Sequence, residues 1–152
     1  FILAFGSWQA LIPLYTRDHR NEPAYWQQIA NFLPKDGKII ALTQDYGYRL
    51  MYYGWRKVVL WPNRGEIRLS VMRGSGKEFQ EFFVKRTAGK RYFLVTAFNQ
   101  FNDQPVLKDL LFEKYPILAE GEGYLIFDLL GKKLDGMIEG AVSNKFECHP
   151  FR

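Results

Sequence analysis

Cysteine and histidine are nearly absent from this chain. The single cysteine, Cys148, rules out an intrachain disulfide framework and with it a small disulfide-stapled scaffold. Histidine occurs only as His19 and His149. Cys148 and His149 are neighbours, and no second Cys or His pair stands at ligand spacing, so no metal site is expected. A thiol nucleophile needs a separate base and an orienting group, and His149 lies too close in sequence to serve Cys148.

Long apolar runs are missing as well. Phe1 to Tyr15 is apolar but broken by Gly6, Ser7, Gln9 and Pro13, which is too short for a span of about 20 residues. It carries no basic leader, so it is a poor signal peptide. Two readings stay open: an amphipathic segment packed on the domain, or the outer end of a transmembrane helix. The chain opens on Phe rather than Met, as a fragment or a processed chain would.

The common phosphate and nucleophile motifs are also lacking. Gly74-Ser75-Gly76-Lys77 lacks the early glycine of a phosphate loop, and Glu78 stands where a magnesium-binding hydroxyl is needed. The turn Thr43 to Tyr48 has one glycine, against the three of a dinucleotide fingerprint. No G-x-S-x-G elbow occurs. No cofactor is expected. Asp45, Asp103 and Glu120 could converge as carboxylates, but nothing in their spacing requires it.

What is present is a core. Of the 152 residues, 47% are apolar, enough for one domain, and 17% are aromatic, so large rings carry much of the burial. The net charge of +5 is dispersed through pairs such as Arg56-Lys57, Lys85-Arg86, Lys90-Arg91 and Lys132-Lys133. No nucleic-acid-binding pattern accompanies them. They read as a solvated basic surface, with an anionic membrane surface or nucleic acid as lesser alternatives.

Periodicity predicts the elements. Asn21-Glu22-Pro23 reads as a capped helix start, with Trp26, Ile29, Ala30 and Leu33 at helical spacing until Pro34 and Gly37. Lys38 to Thr43 reads as a buried central strand and Lys57 to Trp61 as a second buried strand, with a short helix from Tyr46 to Tyr53 between them. Residues 66 to 72 alternate weakly and suit either an extra edge strand or an irregular excursion. Ser75 and Glu78 have capping-box spacing ahead of a helix marked by Phe79, Phe82 and Phe83 that runs to about Thr87. Arg91 to Ala97 is a third buried strand. Asn102 to Pro105 caps a helix whose stripe is Leu107, Leu110, Leu111 and Tyr115. Ile117 to Glu120 and Tyr124 to Leu129 form a strand pair about Gly121-Glu122-Gly123.

This order predicts an α/β fold: a three-layer, Rossmann-like sandwich on a mainly parallel sheet, with a C-terminal antiparallel strand pair. The expected organisation is an N-terminal segment (1–21), an α/β domain (22–130) and a C-terminal tail (131–152). Open α/β sheets bind ligands at the carboxyl ends of their strands. There Asp45, Tyr46, Trp61, Asn63, Asn99 and Gln100 would make a polar, aromatic rim suited to a sugar. The plainer roles for these residues are capping and packing, with Asp45 as an N-cap.

Four segments add a family resemblance: Trp26 to Pro34 (W-x-x-I-A-x-x-L-P), Lys38 to Arg56 (K-I-I-A-L-T-x-D-Y-G-Y-x-L-x-Y-Y-G-W-R), Arg91 to Thr96, and Tyr115 to Leu129. Over residues 22–130 the chain resembles the C-terminal extracytoplasmic domain of bacterial polytopic membrane glycosyltransferases, the type that includes protein mannosyltransferases and aminoarabinose transferases. The resemblance implies a domain on the outer face of the membrane, following the transmembrane part of the same protein. That part would take sugar from a polyprenyl-phosphate donor, using a carboxylate upstream of any residue here, so no catalytic residue is carried over. The domain would then be a non-catalytic accessory to acceptor recognition or assembly, in possible contact with a carbohydrate or lipid-linked sugar and not with nucleic acid. The alternative is an independent α/β domain binding a sugar or nucleotide at the carboxyl edge of its sheet.

Overall fold

The computed structural model describes residues 20–75 and 78–131. The expected membrane-end segment and tail, with His19, Cys148, His149, Gly76 and Lys77, lie outside these residues. The described residues form an α/β fold with a five-stranded mixed sheet, ordered β2-β1-β3-β5-β4. In chain order the elements are α1 (Glu22–Asn31), β1 (Ile39–Leu42), a 3-10 turn (Asp45–Gly47), α2 (Tyr48–Gly54), β2 (Val59–Leu60), α3 (Arg64–Ser70), a π turn (Val71–Ser75), α4 (Phe79–Thr87), β3 (Tyr92–Val95), α5 (Phe98–Asn102), α6 (Pro105–Lys114), β4 (Ile117–Gly121) and β5 (Tyr124–Asp128).

β1 lies parallel to both β2 and β3, while β5 runs antiparallel to β3 and to β4. Parallel and antiparallel pairings are therefore equal in number, and the sheet is mixed rather than mainly parallel. The hairpin of β4 and β5 inserts β5 beside β3 and leaves β4 at the edge.

Alternation along each strand divides the core between the two faces. Ile39, Ala41, Leu94, Tyr124 and Ile126 join Trp26, Ile29 and Ala30 of α1, Leu33 just beyond it and Leu50 of α2. Ile40, Leu42, Phe93, Val95, Leu125 and Phe127 join Phe83 of α4, Phe101 of α5, and Leu107 and Leu111 of α6. β1 and β3 are apolar on every residue because both of their faces are covered, which is why each reads as an unbroken apolar run.

Several sequence expectations are corrected. Lys57 to Trp61 is not a buried strand throughout: β2 has two residues, Val59 is exposed, and the sheet order puts it at an edge with one neighbour. Residues 66–72, for which an edge strand and an irregular excursion were both open, are helix and π turn. A capping box at Asn63 starts the helix, in which the Asn63 Oδ1 accepts from the Glu66 N–H and a Glu66 oxygen accepts from the Asn63 N–H. The N-cap of α4 is Glu78 rather than Ser75, the helix begins at Phe79, and Glu78 makes no side-chain cap bond. Asn21 precedes α1 but makes no side-chain cap either, because its own backbone is helical.

The tightest helix contact joins α1 to α2. A Cβ on Gly54 would lie 2.9 Å from the Ala30 Cβ and 2.8 Å from the Leu50 Cδ1, so only glycine lets the two backbones approach this closely. Neither helix has a basic residue in its last turn. Arg56 supplies that charge to both. Its Nε donates to the Leu33 carbonyl (2.8 Å) and its Nη2 to the Ala30 carbonyl (2.8 Å), while Nη1 donates to the Gly54 carbonyl (3.0 Å). These carbonyls lie at or just past the ends of their helices, at the negative end of the helix dipole, and that of Ala30 also accepts the Leu33 N–H at 3.1 Å.

On the other face, Trp61 is buried among Phe79, Phe82, Phe83 and Phe93, with ring centroids 5.4 to 6.3 Å away. Its indole N–H donates to the Gln104 Oε1 at 2.9 Å, and the Gln104 Nε2 donates to the Pro62 carbonyl. Gln104 thus acts less as a helix cap than as the polar partner that lets a tryptophan be buried.

Two predictions follow from this packing. Arg56→Ala should lower unfolding stability by about 2–3 kcal/mol in urea titrations, with Arg56→Lys recovering only part, because one ammonium cannot serve three carbonyls set for a planar fork. Tyr25 packs edge-on to Trp26 at 5.4 Å. Burial, with lesser contributions from Tyr124 and Glu122, pushes its phenol up from 10.0 to about 12. The unfolded chain gives up this proton first, so the associated stability is intact below about pH 10 and is lost as pH rises through about 12. Denaturation midpoints of wild type should therefore fall more steeply over this window than those of Tyr25→Phe.

Candidate functional site

Parallel pairing brings the carboxyl ends of β1, β2 and β3 to one edge of the sheet. There the Thr96 hydroxyl donates to the Thr43 hydroxyl at 2.7 Å and ties the exits of β3 and β1 together. All six residues expected at the rim lie on segments leaving these strands, but their side chains diverge. Trp61 turns inward and its indole N–H is taken by Gln104. Asn63 is held in the α3 capping box. Asn99 is exposed and Gln100 half-buried on α5. Asp45 and Tyr46 alone combine exposure with an unusual backbone.

That backbone is left-handed. Asp45 (φ 52°), Tyr46 (φ 54°) and Gly47 (φ 74°) are consecutive residues at positive φ. Gly47 suits the position, and a Cβ there would meet the Val58 Cγ2 at 2.7 Å. Asp tolerates such a conformation, whereas for a bulky residue such as Tyr46 it costs on the order of 1 kcal/mol or more. Asp45 does not cap α2, whose N-cap is Gly47. Instead its carboxylate pairs with the Arg49 Nε at 2.8 Å, and the Arg49 Nη1 pairs with Glu22 of α1 at 2.6 Å. The guanidinium bridges the turn to the first helix.

The far end of α2 repeats the anomaly. Trp55, its C-cap, is also left-handed (φ 52°, ψ 42°), in the conformation where glycine usually ends a helix. Between these ends, Leu50 and Gly54 are buried while Tyr48, Tyr52 and Trp55 face outward. Tyr48 and Tyr52 lie one turn apart on the helix, and Trp55 follows at its C-cap. Exposure is 63% for Tyr48, 74% for Tyr52 and 81% for Trp55, and Tyr46, whose ring lies 6.1 Å from that of Tyr48, is 69% exposed.

Sequence reasoning missed these rings. Their signal was the helical spacing of Tyr48 and Tyr52 opposite Leu50 and Gly54, which reads equally as a core-facing face until the buried side is known. Chemically, the rings offer flat faces and phenol groups for stacking and hydrogen bonding. Among the described residues, no group of three or more His, Cys, Asp or Glu stands where it could hold a metal ion.

Strain without a packing return yields a stability prediction. Trp55→Gly should raise unfolding stability by about 1 kcal/mol, read as a higher urea midpoint at unchanged slope, because it relieves a left-handed non-glycine residue and removes no buried contact. A clear loss of stability would mean that the Trp55 ring packs usefully on the domain.

Compared with protein-family models, curated proteins and solved structures, the chain gives no significant match.

Proposed function

We propose that this domain is a non-catalytic accessory module of a bacterial membrane glycosyltransferase that draws on a polyprenyl-phosphate-linked sugar. In this reading it is a Rossmann-like, three-layer sandwich on the extracytoplasmic face, attached to the transmembrane part of the same protein, and it assists acceptor recognition or assembly. Among the described residues no helix is long and apolar enough to cross a membrane, so the reading assigns spanning to a part beyond them.

One observation supports this most directly. The two segments that carry most of the resemblance, Trp26 to Pro34 and Lys38 to Arg56, interlock through their own residues. Gly54 of the second packs on Ala30 of the first, and Arg56 of the second donates to the Ala30 and Leu33 carbonyls of the first. The two segments meet as one unit that carries the exposed rings.

The test uses the parent protein. Deleting residues 22–130 should lower glycosyl transfer from a polyprenyl-phosphate-linked donor while leaving the membrane part inserted, and the 152-residue chain alone should show no turnover. A parent chain without membrane spans ahead of Phe1 overturns the reading, as does transfer by the chain alone.

A further inference from the structure

We infer that α3 and the π turn after it, residues 64–75, form a basic amphipathic segment that lies against the headgroups of an anionic lipid bilayer. The inference deepens the accessory-module reading and rests on it only for the bilayer beside the domain.

This segment is ordered without serving the core. Trp61 before it and Phe79 after it are in ring contact, with centroids 6.3 Å apart, so the chain between them leaves the domain and returns to the same place. No residue of α3 is buried, and only Ile67 and Ser70 of the helix are half-buried. Leu69, Val71 and Met72 follow closely on one another and are 51%, 58% and 73% exposed. A helix this short draws its stability from packing, and here the Asn63–Glu66 capping box is the main local support.

Its charge is also unbalanced. Arg64 is the first residue of α3, at the positive end of the helix dipole, and Arg68 follows one turn later. Both placements disfavour the helix by itself, since like charges four residues apart repel. Glu66, the acid between them, has an oxygen committed to the Asn63 N–H. Other arginines of the domain are engaged: Arg49 with Asp45 and Glu22, Arg56 with helix carbonyls, Arg86 over the Phe82 ring and Arg91 with Asp128. Among the described residues, no carboxylate pairs with Arg64, Arg68 or Arg73, and all three are exposed. An external anionic surface would remove this repulsion.

The combination of groups selects the occupant. Nucleic-acid phosphates would meet the arginines and leave the aliphatic side chains in water. A second copy of this chain, with its net charge of +5, would bring more positive charge to the same place. An anionic bilayer satisfies both kinds of group. Leu69, Val71 and Met72 enter the boundary between headgroups and acyl chains, while the arginines reach lipid phosphates on their long stems. The negative potential of the leaflet attracts each cation that lies within a Debye length.

The experiment mixes the 152-residue chain with vesicles of phosphatidylcholine, with and without phosphatidylglycerol, and reads co-sedimentation and hydrogen exchange. Vesicles with phosphatidylglycerol should bind the chain, high salt should release it, and the amides of residues 64–75 should gain protection. Arg64→Gln and Arg68→Gln should each weaken binding about fivefold, and Leu69→Ser about tenfold, while Arg68→Lys keeps most of it. Since these side chains are exposed, an unchanged urea midpoint separates lost binding from lost folding. The inference is overturned if vesicles with phosphatidylglycerol do not bind, or if the variants bind as the wild type does. Binding that leaves residues 64–75 unprotected, as through the apolar stretch Phe1 to Tyr15, overturns it too. So does protection of these amides by polyuridylate or by raised chain concentration, with none from vesicles. Failure here leaves the accessory-module reading standing, because the membrane spans and transfer activity of the parent protein decide that reading.

Discussion

Much of one side of this domain depends on how closely α1 and α2 can approach. Gly54 removes the only Cβ that would hold them apart, against Ala30 and Leu50. Closeness alone would leave the last carbonyls of α1 turned toward one another and toward the end of α2, with like partial charges facing. Arg56 answers this with one planar cation that donates to carbonyls of both helices. Packing and electrostatics therefore meet at a single guanidinium. The arrangement also explains why two helices of ten and seven residues, too short to be stable alone, are well formed.

The same clamp determines what α2 can show to solvent. With Leu50 and Gly54 turned to the core, Tyr48, Tyr52 and Trp55 have no other direction to take. The Arg49 bridge from Asp45 to Glu22 secures the amino end, and the left-handed residues at each end aim the terminal rings outward. A surface of this kind is costly in local backbone energy and is supported by the rigid pair of helices beneath it. Such strain persists only where the surrounding structure imposes it.

The core was largely legible in the sequence. The apolar runs Ile39–Leu42 and Tyr92–Val95, the stripe from Trp26 to Leu33 and the Gly-turned final hairpin all appear where periodicity put them. The errors came where one local pattern has two solutions. Val59 and Leu60 look like a buried strand, but whether a strand has one neighbour or two is a property of the sheet. Residues 66–72 suited either an edge strand or an irregular excursion, and the Asn63–Glu66 cap commits the segment to a helix instead. One residue of the expected rim shows the same dependence. Trp61 was placed at the correct edge, but a buried glutamine 43 residues later gives its N–H a partner and draws the ring inside.

The sequence by itself determined the α/β alternation, the residues of both core faces and the want of a recognisable catalytic motif, because these follow from periodicity and residue type, which are local. Only the tertiary structure decided that the sheet is mixed, that β2 is an edge, and that the rings of α2 stay outside while Trp61 goes in. Those outcomes depend on which side of each element finds a partner. In this chain the partners are Gly54 against Ala30, Arg56 on the helix carbonyls and Gln104 beneath the indole, contacts between residues far apart in the chain that no periodicity encodes.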